Sequence, residues 1–235
     1  MKVPFYGMKM SDCNQIILSE IDSRHCVKVL RYKVGDSVKV LDGRGHLYDC
    51  IISDDNLKQC TLKINNIDFK EKENFSVHIV ISPPKNPDRI DWLIEKSVEM
   101  GASRISFVIS ERSIRNKIKI ERLERISIAA MKQSCSRYKL KIDEMAQLTS
   151  VFESINASQR LIPHIEEGER TLIHESLKPY QDTCILIGPE GDFTPKEIQT
   201  AIDNDFKPVS LGNRRLRTET AAIMVVGAFN YVNGY

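Results

Sequence analysis

The sequence predicts an α/β protein, a mostly parallel-sheet domain over residues 73–235 preceded by a small β domain over residues 1–72. Three observations lead there. Residues 1–72 read as short strands joined by turns, the composition shifts at the polar stretch Asp68–Asn74, and beyond it strands alternate with amphipathic helices. An alternating strand–helix order needs crossover connections, and crossovers make neighbouring strands parallel. A chain of 235 residues is long enough for one medium and one small domain.

Within the β domain, Val38–Leu41 and His46–Ser53 flank Asp42-Gly43-Arg44-Gly45, a loop with hairpin chemistry. Thr61–Ile67 continues the pattern. Small barrels of this type commonly bind RNA, although alternation alone does not separate a barrel from another small β domain. The charged stretch Asp68–Asn74 is the expected linker. Val77–Ser82 is then a β-rich apolar run, Pro83–Pro87 a loop, and Asp88–Met100 a helix with Ile90, Leu93, Ile94 and Val98 on one face and Gly101 as its stop. Trp92 lies beside that face; such a Trp is more often core, with base stacking as the functional alternative. Ile105–Ser110 reads as a strand, Glu111–Lys119 as a basic loop, and Glu121–Ser134 as a helix with Leu123, Ile126 and Ala130 inward. Residues 145–160 carry no readable pattern.

The stretch Cys184–Ala222 repeats one grammar twice: a short apolar run, a Gly at its end, and a polar loop entering a helix. In the first copy, Gly188 and Gly191 relax the backbone and allow a ligand close to it, while Pro189 stiffens the turn between them. Thr194, Pro195 and Glu197 spell the start of the next helix as N-cap, first position and capping-box partner. The second copy carries Arg214, Arg215 and Arg217 with Glu219, then the apolar helix Ala221–Phe229. Two ordinary strand-to-helix connections satisfy this pattern, yet such loops in α/β sheets are also where ligands bind.

Composition narrows the function classes. Charged residues at 28% and hydrophobic ones at 41% fit a soluble globular protein, and no run approaches the length of a spanning helix, so a cytoplasmic location is expected. Six cysteines at 13, 26, 50, 60, 135 and 184 form no Cys-x-x-Cys pair, and the five histidines lack ligand spacing, so no metal is expected. Net charge is only +2, but from Arg112 to Lys141 there are ten basic residues against two acidic ones. Such a run either raises affinity for a phosphate backbone or forms a solvated helix face.

Ile-Gly-Pro-Glu-Gly at 187–191, followed about twenty residues later by Leu211-Gly-x-x-x-Leu216-Arg217-x-Glu219-Thr-Ala221, resembles the C-terminal signature of the knotted SPOUT RNA methyltransferases. Within them the chain is similar to the bacterial family that methylates uracil N3 in 16S ribosomal RNA. The similarity continues upstream in Lys85, Trp92, Lys96, Glu99, Gly101, Glu111-Arg112-Ser113, Ala130, Gln133, Ser134 and Arg137. His25 to Arg31 followed by Gly35-Asp36 resembles that family's PUA-like N-terminal domain, and Leu161–Gly168 its first cofactor-facing loop. The resemblance departs at Asp192, where many relatives carry a second Gly, and at Arg215, where an apolar residue is usual.

What the resemblance implies is a SPOUT-type trefoil-knotted parallel-sheet domain after a PUA-like β-barrel, S-adenosylmethionine as methyl donor, and a homodimer completed by the helices near 88–100 and 219–231. The cofactor would contact His164, Ile187, Gly188, Pro189, Glu190, Gly191, Leu211, Gly212, Leu216 and Thr220. Arg31, Arg112, Arg122 and Arg125 are candidate RNA contacts. Methylating uracil N3 requires loss of its proton, and the charge left behind spreads onto two carbonyl oxygens. A guanidinium suits that charge, so Arg217 is the expected donor, helped by Arg137 or Arg112. Glu219 or Glu190 is the expected proton acceptor. Since N3 is hidden in a paired base, the target must be unpaired or flipped out. A non-catalytic RNA-binding ribosome-assembly factor on the same fold is the rival reading. A nucleotide-dependent oxidoreductase is disfavoured because the Gly-x-Gly-x-x-Gly fingerprint is missing.

Overall fold

The computed structural model describes residues 3–11, 13–165 and 170–235. Contacts group Met1–Lys72 with Ile128–Lys139 in one unit and Glu73–Ser127 with Leu140–Tyr235 in a second.

The first unit is built on five strands, β1 (Phe5–Tyr6), β2 (Gln15–Ile17), β3 (Ser37–Leu41), β4 (His46–Asp54) and β5 (Thr61–Phe69), in the order β1-β3-β4-β5-β2. The β3–β4 and β4–β5 pairs are antiparallel, and the expected hairpin loop uses positive φ at Gly43 (+69°) and Gly45 (+106°). Tyr138 Oη and a Phe69 ring carbon would each lie 2.6 Å from a Cβ at Gly45, so any larger residue there forces both aside. The segment just after edge strand β1 pairs with the other edge strand through the bridge Lys9↔Ile16, which curls the sheet toward a barrel. Its interior is the alternate residues Val38, Val40, Tyr48, Cys50, Ile52, Leu62 and Ile64, with Cys26 from a helical segment. That segment was not expected from the sequence. It runs as α1 (Glu20–Arg24), capped by the Ser19 side chain, into a π-helical turn His25–Val29. Arg31 follows with φ of +58° and an exposed side chain.

The second unit is a seven-stranded, wholly parallel sheet. Its strands are β6 (Val77–Ile81), β7 (Arg104–Ile109), β8 (Lys141–Gln147), β9 (Gln159–Pro163), β10 (Thr171–Leu172), β11 (Thr183–Ile187) and β12 (Lys207–Ser210). The order is β10-β12-β9-β11-β6-β7-β8. The central β6 and β11 are buried at every position, which is why they read as continuous apolar runs rather than alternating ones. The helices are α2 (Pro87–Glu99), α3 (Ile120–Ser134), which belongs to this unit only up to Ser127, α4 (Leu148–Val151), α5 (Ile173–Ser176), α6 (Pro195–Asp203) and α7 (Thr218–Asn233). α2 buries Ile90, Leu93, Ile94 and Val98 as the spacing requires and packs on α7. Trp92 is not core: it is 40% exposed, because it falls on the flank of that apolar stripe. A patternless 145–160 proves to hold the end of edge strand β8 and α4, whose Leu148 and Val151, with Phe152 and Ile155, cover the sheet. Glu166, Glu167 and Gly168 of the expected cofactor loop lie outside the described residues.

Candidate active site

The carboxyl ends of β9, β11 and β12 lie side by side, because these strands are parallel neighbours. The loops that leave them surround a cavity of about 420 Å³ within the second unit. That volume falls in the usual range of roughly 300–1,000 Å³ for small-molecule sites.

The second of these loops is pinned from several sides. Glu190 Oε1 accepts the Lys85 amide at 2.9 Å, and Arg112 donates to the Gly191 carbonyl at 2.8 Å. Thr194 accepts the Glu197 amide at 3.3 Å while Glu197 Oε2 accepts the Thr194 amide at 2.9 Å, the capping box expected for α6. The free oxygen of Glu197 accepts the Glu111 amide at 2.7 Å, tying this loop to the one after β7. Gly188 and Gly191 do not use left-handed backbone; that conformation falls to Asp192 (φ +60°) and Gly212 (φ +101°). Gly188 is required for room instead, since a Cβ there would lie 3.0 Å from Asp192 Oδ1 and 3.2 Å from the Phe193 amide nitrogen.

Eight of the ten residues expected to face a cofactor line this cavity: His164, Ile187, Gly188, Pro189, Glu190, Leu211, Gly212 and Leu216. Gly191 stands behind the wall against the Arg112 side chain, and Thr220 opens onto a neighbouring cleft. Asp192, Arg170 and Thr218 also line the cavity; the resemblance marked Asp192 only as a departure and singled out neither of the other two. Arg170 donates to the His164 carbonyl, which steadies the first loop.

A second cleft of about 220 Å³ is lined by Asp88, Arg89, Trp92, Arg217, Glu219 and Thr220, so Arg217 borders both spaces. Arg217 is the N-cap of α7 with an exposed side chain that makes no capping bond. Glu219 in the first turn of α7 is only 5% exposed; Arg89 Nε lies 3.5 Å from its Oε1, and its Oε2 has no hydrogen-bond partner. A buried carboxylate oxygen left so is a place where a donor is owed. Of the remaining candidates, Arg137 belongs to the first unit, where it pairs with Asp68 at 2.5 Å. Arg122 pairs with Asp91, and Arg125 Nε reaches the Glu121 carbonyl at 3.3 Å.

No helix among the described residues is long and apolar enough to cross a membrane, and no group of three or more His, Cys, Asp or Glu among them could hold a metal ion.

Comparison with known proteins follows the same division. Residues 71–230 match the sequence family described as RNA methyltransferase domain, and residues 18–65 match the RNA methyltransferase PUA domain. The chain is 30% identical to the ribosomal RNA small subunit methyltransferase E of Buchnera aphidicola subsp. Acyrthosiphon pisum, covering 95% of this chain and 90% of that protein. A probable rRNA-methyltransferase from Porphyromonas gingivalis superposes with a TM-score of 0.90 at 34% identity, over 99% of both chains. The Neisseria gonorrhoeae ribosomal RNA small subunit methyltransferase E, solved bound to S-adenosyl methionine, gives a TM-score of 0.86 at 26% identity over 99% of this chain and 98% of that one.

Proposed function

Because the chain belongs to the RNA methyltransferase family, whose domain spans residues 71–230, we propose that it methylates N3 of a uridine in small-subunit ribosomal RNA with S-adenosylmethionine as donor. The observation that carries this reading is Arg217, standing between a cavity of cofactor size and a second cleft with an exposed Trp. The bound donor supplies an electrophilic methyl carbon on a sulfonium. Main-chain groups of 187–190 and 211–216 would hold it, with Gly188 giving the close backbone approach and Ile187, Pro189 and Leu216 enclosing its flat ring.

The second cleft is where we place the base. On its pairing edge uracil presents an N–H donor at N3 between two carbonyl acceptors. Arg89, Glu219 and Arg217 present the complementary set, two guanidiniums around a carboxylate whose Oε2 lacks a partner. Glu219 takes the N3 proton, Arg217 stabilises the charge that moves onto a carbonyl oxygen, and Trp92 offers a stacking face for a base out of its helix. Arg217 stays protonated throughout, so it serves as donor and not as base. For Arg137 to assist at an RNA, its pair with Asp68 has to open.

Three further parts belong to this reading. The first unit, matched by the PUA domain over 18–65, holds RNA, with Arg31 as a contact. The outward face of α7, where Met224 and Tyr231 are 43% and 82% exposed, meets a second copy in a homodimer, which sedimentation would detect. Pro163 and Thr171 pair with Val209 from opposite sides, so β9 and β10, consecutive in sequence, flank β12. We read that as the threading of a trefoil knot, and an experimental trace from Pro163 to Arg217 decides it.

The test of function is nucleoside mapping of small-subunit ribosomal RNA from cells lacking the protein, with calorimetry of S-adenosylmethionine on the purified chain. Loss of one 3-methyluridine together with cofactor binding is expected. Cofactor binding without any missing methyl group removes the uridine assignment, and no binding returns the chain to the non-catalytic RNA-binding reading.

A further inference from the structure

Asp192 sits where the backbone asks for a residue that tolerates left-handed φ, here +60°. Asp bears this better than most side chains but less well than Gly, so its presence costs something that an interaction has to offset. Its carboxylate makes two such interactions, one with each oxygen. Oδ1 accepts the amide of its own neighbour Phe193 at 2.8 Å, and Oδ2 accepts the amide of Ile165 at 2.7 Å. Ile165 belongs to the loop after β9, 27 residues away in sequence, whereas Phe193 belongs to the loop after β11. The carboxylate is seated over bare backbone, since a Cβ at Gly188 would come within 3.0 Å of Oδ1. Asp192 therefore spans two of the three loops that wall the larger cavity, and it lines that cavity itself.

Charge adds a second consequence. The same lining holds Arg170, Arg214, Arg215 and Arg217, against two carboxylates, Glu190 and Asp192. Glu190 is turned to the Lys85 amide, so it lends its charge at the cavity's edge. A ring of guanidiniums with few counter-charges disfavours a cationic ligand, and a sulfonium is cationic.

We propose that Asp192 is a positioning residue of this site. Its carboxylate latches the loop after β9 to the loop after β11, and its charge offsets part of the guanidinium charge that would otherwise weigh against a sulfonium ligand more than against the neutral thioether left after methyl transfer. The latch rests on the two hydrogen bonds alone; the charge effect rests on the S-adenosylmethionine reading above.

Two substitutions separate the parts. Asp192→Gly adopts the same φ without strain and removes both acceptors. Asp192→Asn keeps the side-chain shape and one oxygen acceptor but no charge. Hydrogen exchange over residues 160–165 and 187–194 reads the latch, and calorimetry with S-adenosylmethionine and S-adenosylhomocysteine reads the charge. In Asp192→Gly the thermal midpoint is expected to hold or fall slightly, exchange in 160–165 to quicken, and affinity for the neutral product to fall about tenfold, the loss of one charge-assisted hydrogen bond, with the sulfonium falling further. In Asp192→Asn, which keeps one of the two acceptors, affinity for the neutral product falls modestly and affinity for the sulfonium falls several-fold further, so their ratio shifts toward the product. Unchanged exchange in Asp192→Gly overturns the latch, whatever the ligands do. An unchanged ratio in Asp192→Asn overturns the charge effect. If the unaltered protein binds neither ligand, the functional reading and the charge effect fall together, and the exchange data still judge the latch.

Discussion

Arg217 combines exposure with a fixed backbone: as N-cap of α7 its main chain is extended (φ −74°, ψ 153°), and its side chain is not spent on the helix. Arg217→Ala is therefore expected to leave the thermal midpoint within about a degree, since surface substitutions away from special features change stability by less than about 0.5 kcal/mol. Methyl transfer should fall by at least about a hundredfold, the usual loss for one oxyanion donor. Turnover close to that of the unaltered protein would take Arg217 out of the mechanism. His78 is the opposite kind of residue, buried in β6 with Nε2 2.7 Å from Ser106 Oγ. Burial, helped by the Arg104 charge, pulls its pKa from 6.5 down to about 4. Nearby Asp143 is pushed up by burial, but hydrogen bonds from Arg104 and Ser106 outweigh this and hold its carboxyl below the usual range. The unfolded chain protonates His78 near 6.5 whereas the folded chain resists until about 4, so the stability present above 6.5 drains away as pH falls through that window. The loss is on the order of 3 kcal/mol. Urea unfolding at pH 7 and 4.5 should show the drop, and His78→Gln should flatten it.

At the scale of elements, the capping box of α6 does more than start a helix, because Glu197 also receives the Glu111 amide from the loop after β7. Thr194→Ala should cost about 1 kcal/mol. Glu197→Ala should cost more, about 1–2 kcal/mol, since it strands two amides. Equal denaturation midpoints for the two variants would show that the Glu111 bond adds nothing. This box was legible in sequence for the reason that it is local: Thr194, Pro195 and Glu197 need no distant partner to declare themselves. The buried strands β6 and β11 were legible too, as apolar runs too short for a helix. β8 was not, since as an edge strand carrying Lys141, Asp143 and Glu144 it shows neither alternation nor a run. The loop glycines were half legible. Their presence announced a backbone near a ligand, but only the approach of Asp192 and Phe193 shows that Gly188 is needed for space and that Asp192 takes the strained φ. Trp92 failed on a finer point, because one step around a helix separates its core from its flank.

For the molecule as a whole, the basic run of 112–141 is less free than its composition suggests. Arg112, Arg115, Arg122, Lys132 and Arg137 are each engaged with a carbonyl or carboxylate of their own chain. Lys117, Lys119 and Arg125 are exposed in the second unit; Arg125 Nε reaches the Glu121 carbonyl, a contact that leaves its charge in place. Replacing these three by Gln should lower the salt slope of RNA binding by about two, at roughly 0.7 per phosphate released. Arg122→Gln alone should change it little, because Asp91 already neutralises that charge. A slope unmoved by the triple change would assign the run to solvent. Strand order carries a last consequence, for synthesis. β12 wedges between β9 and β10, although it is made more than thirty residues after either. A nascent chain that has emerged only as far as Phe206 has two walls of the larger cavity and no third. The cavity in which the proposed methyl donor would sit is thus closed only after β12 and the loop that follows it have been made.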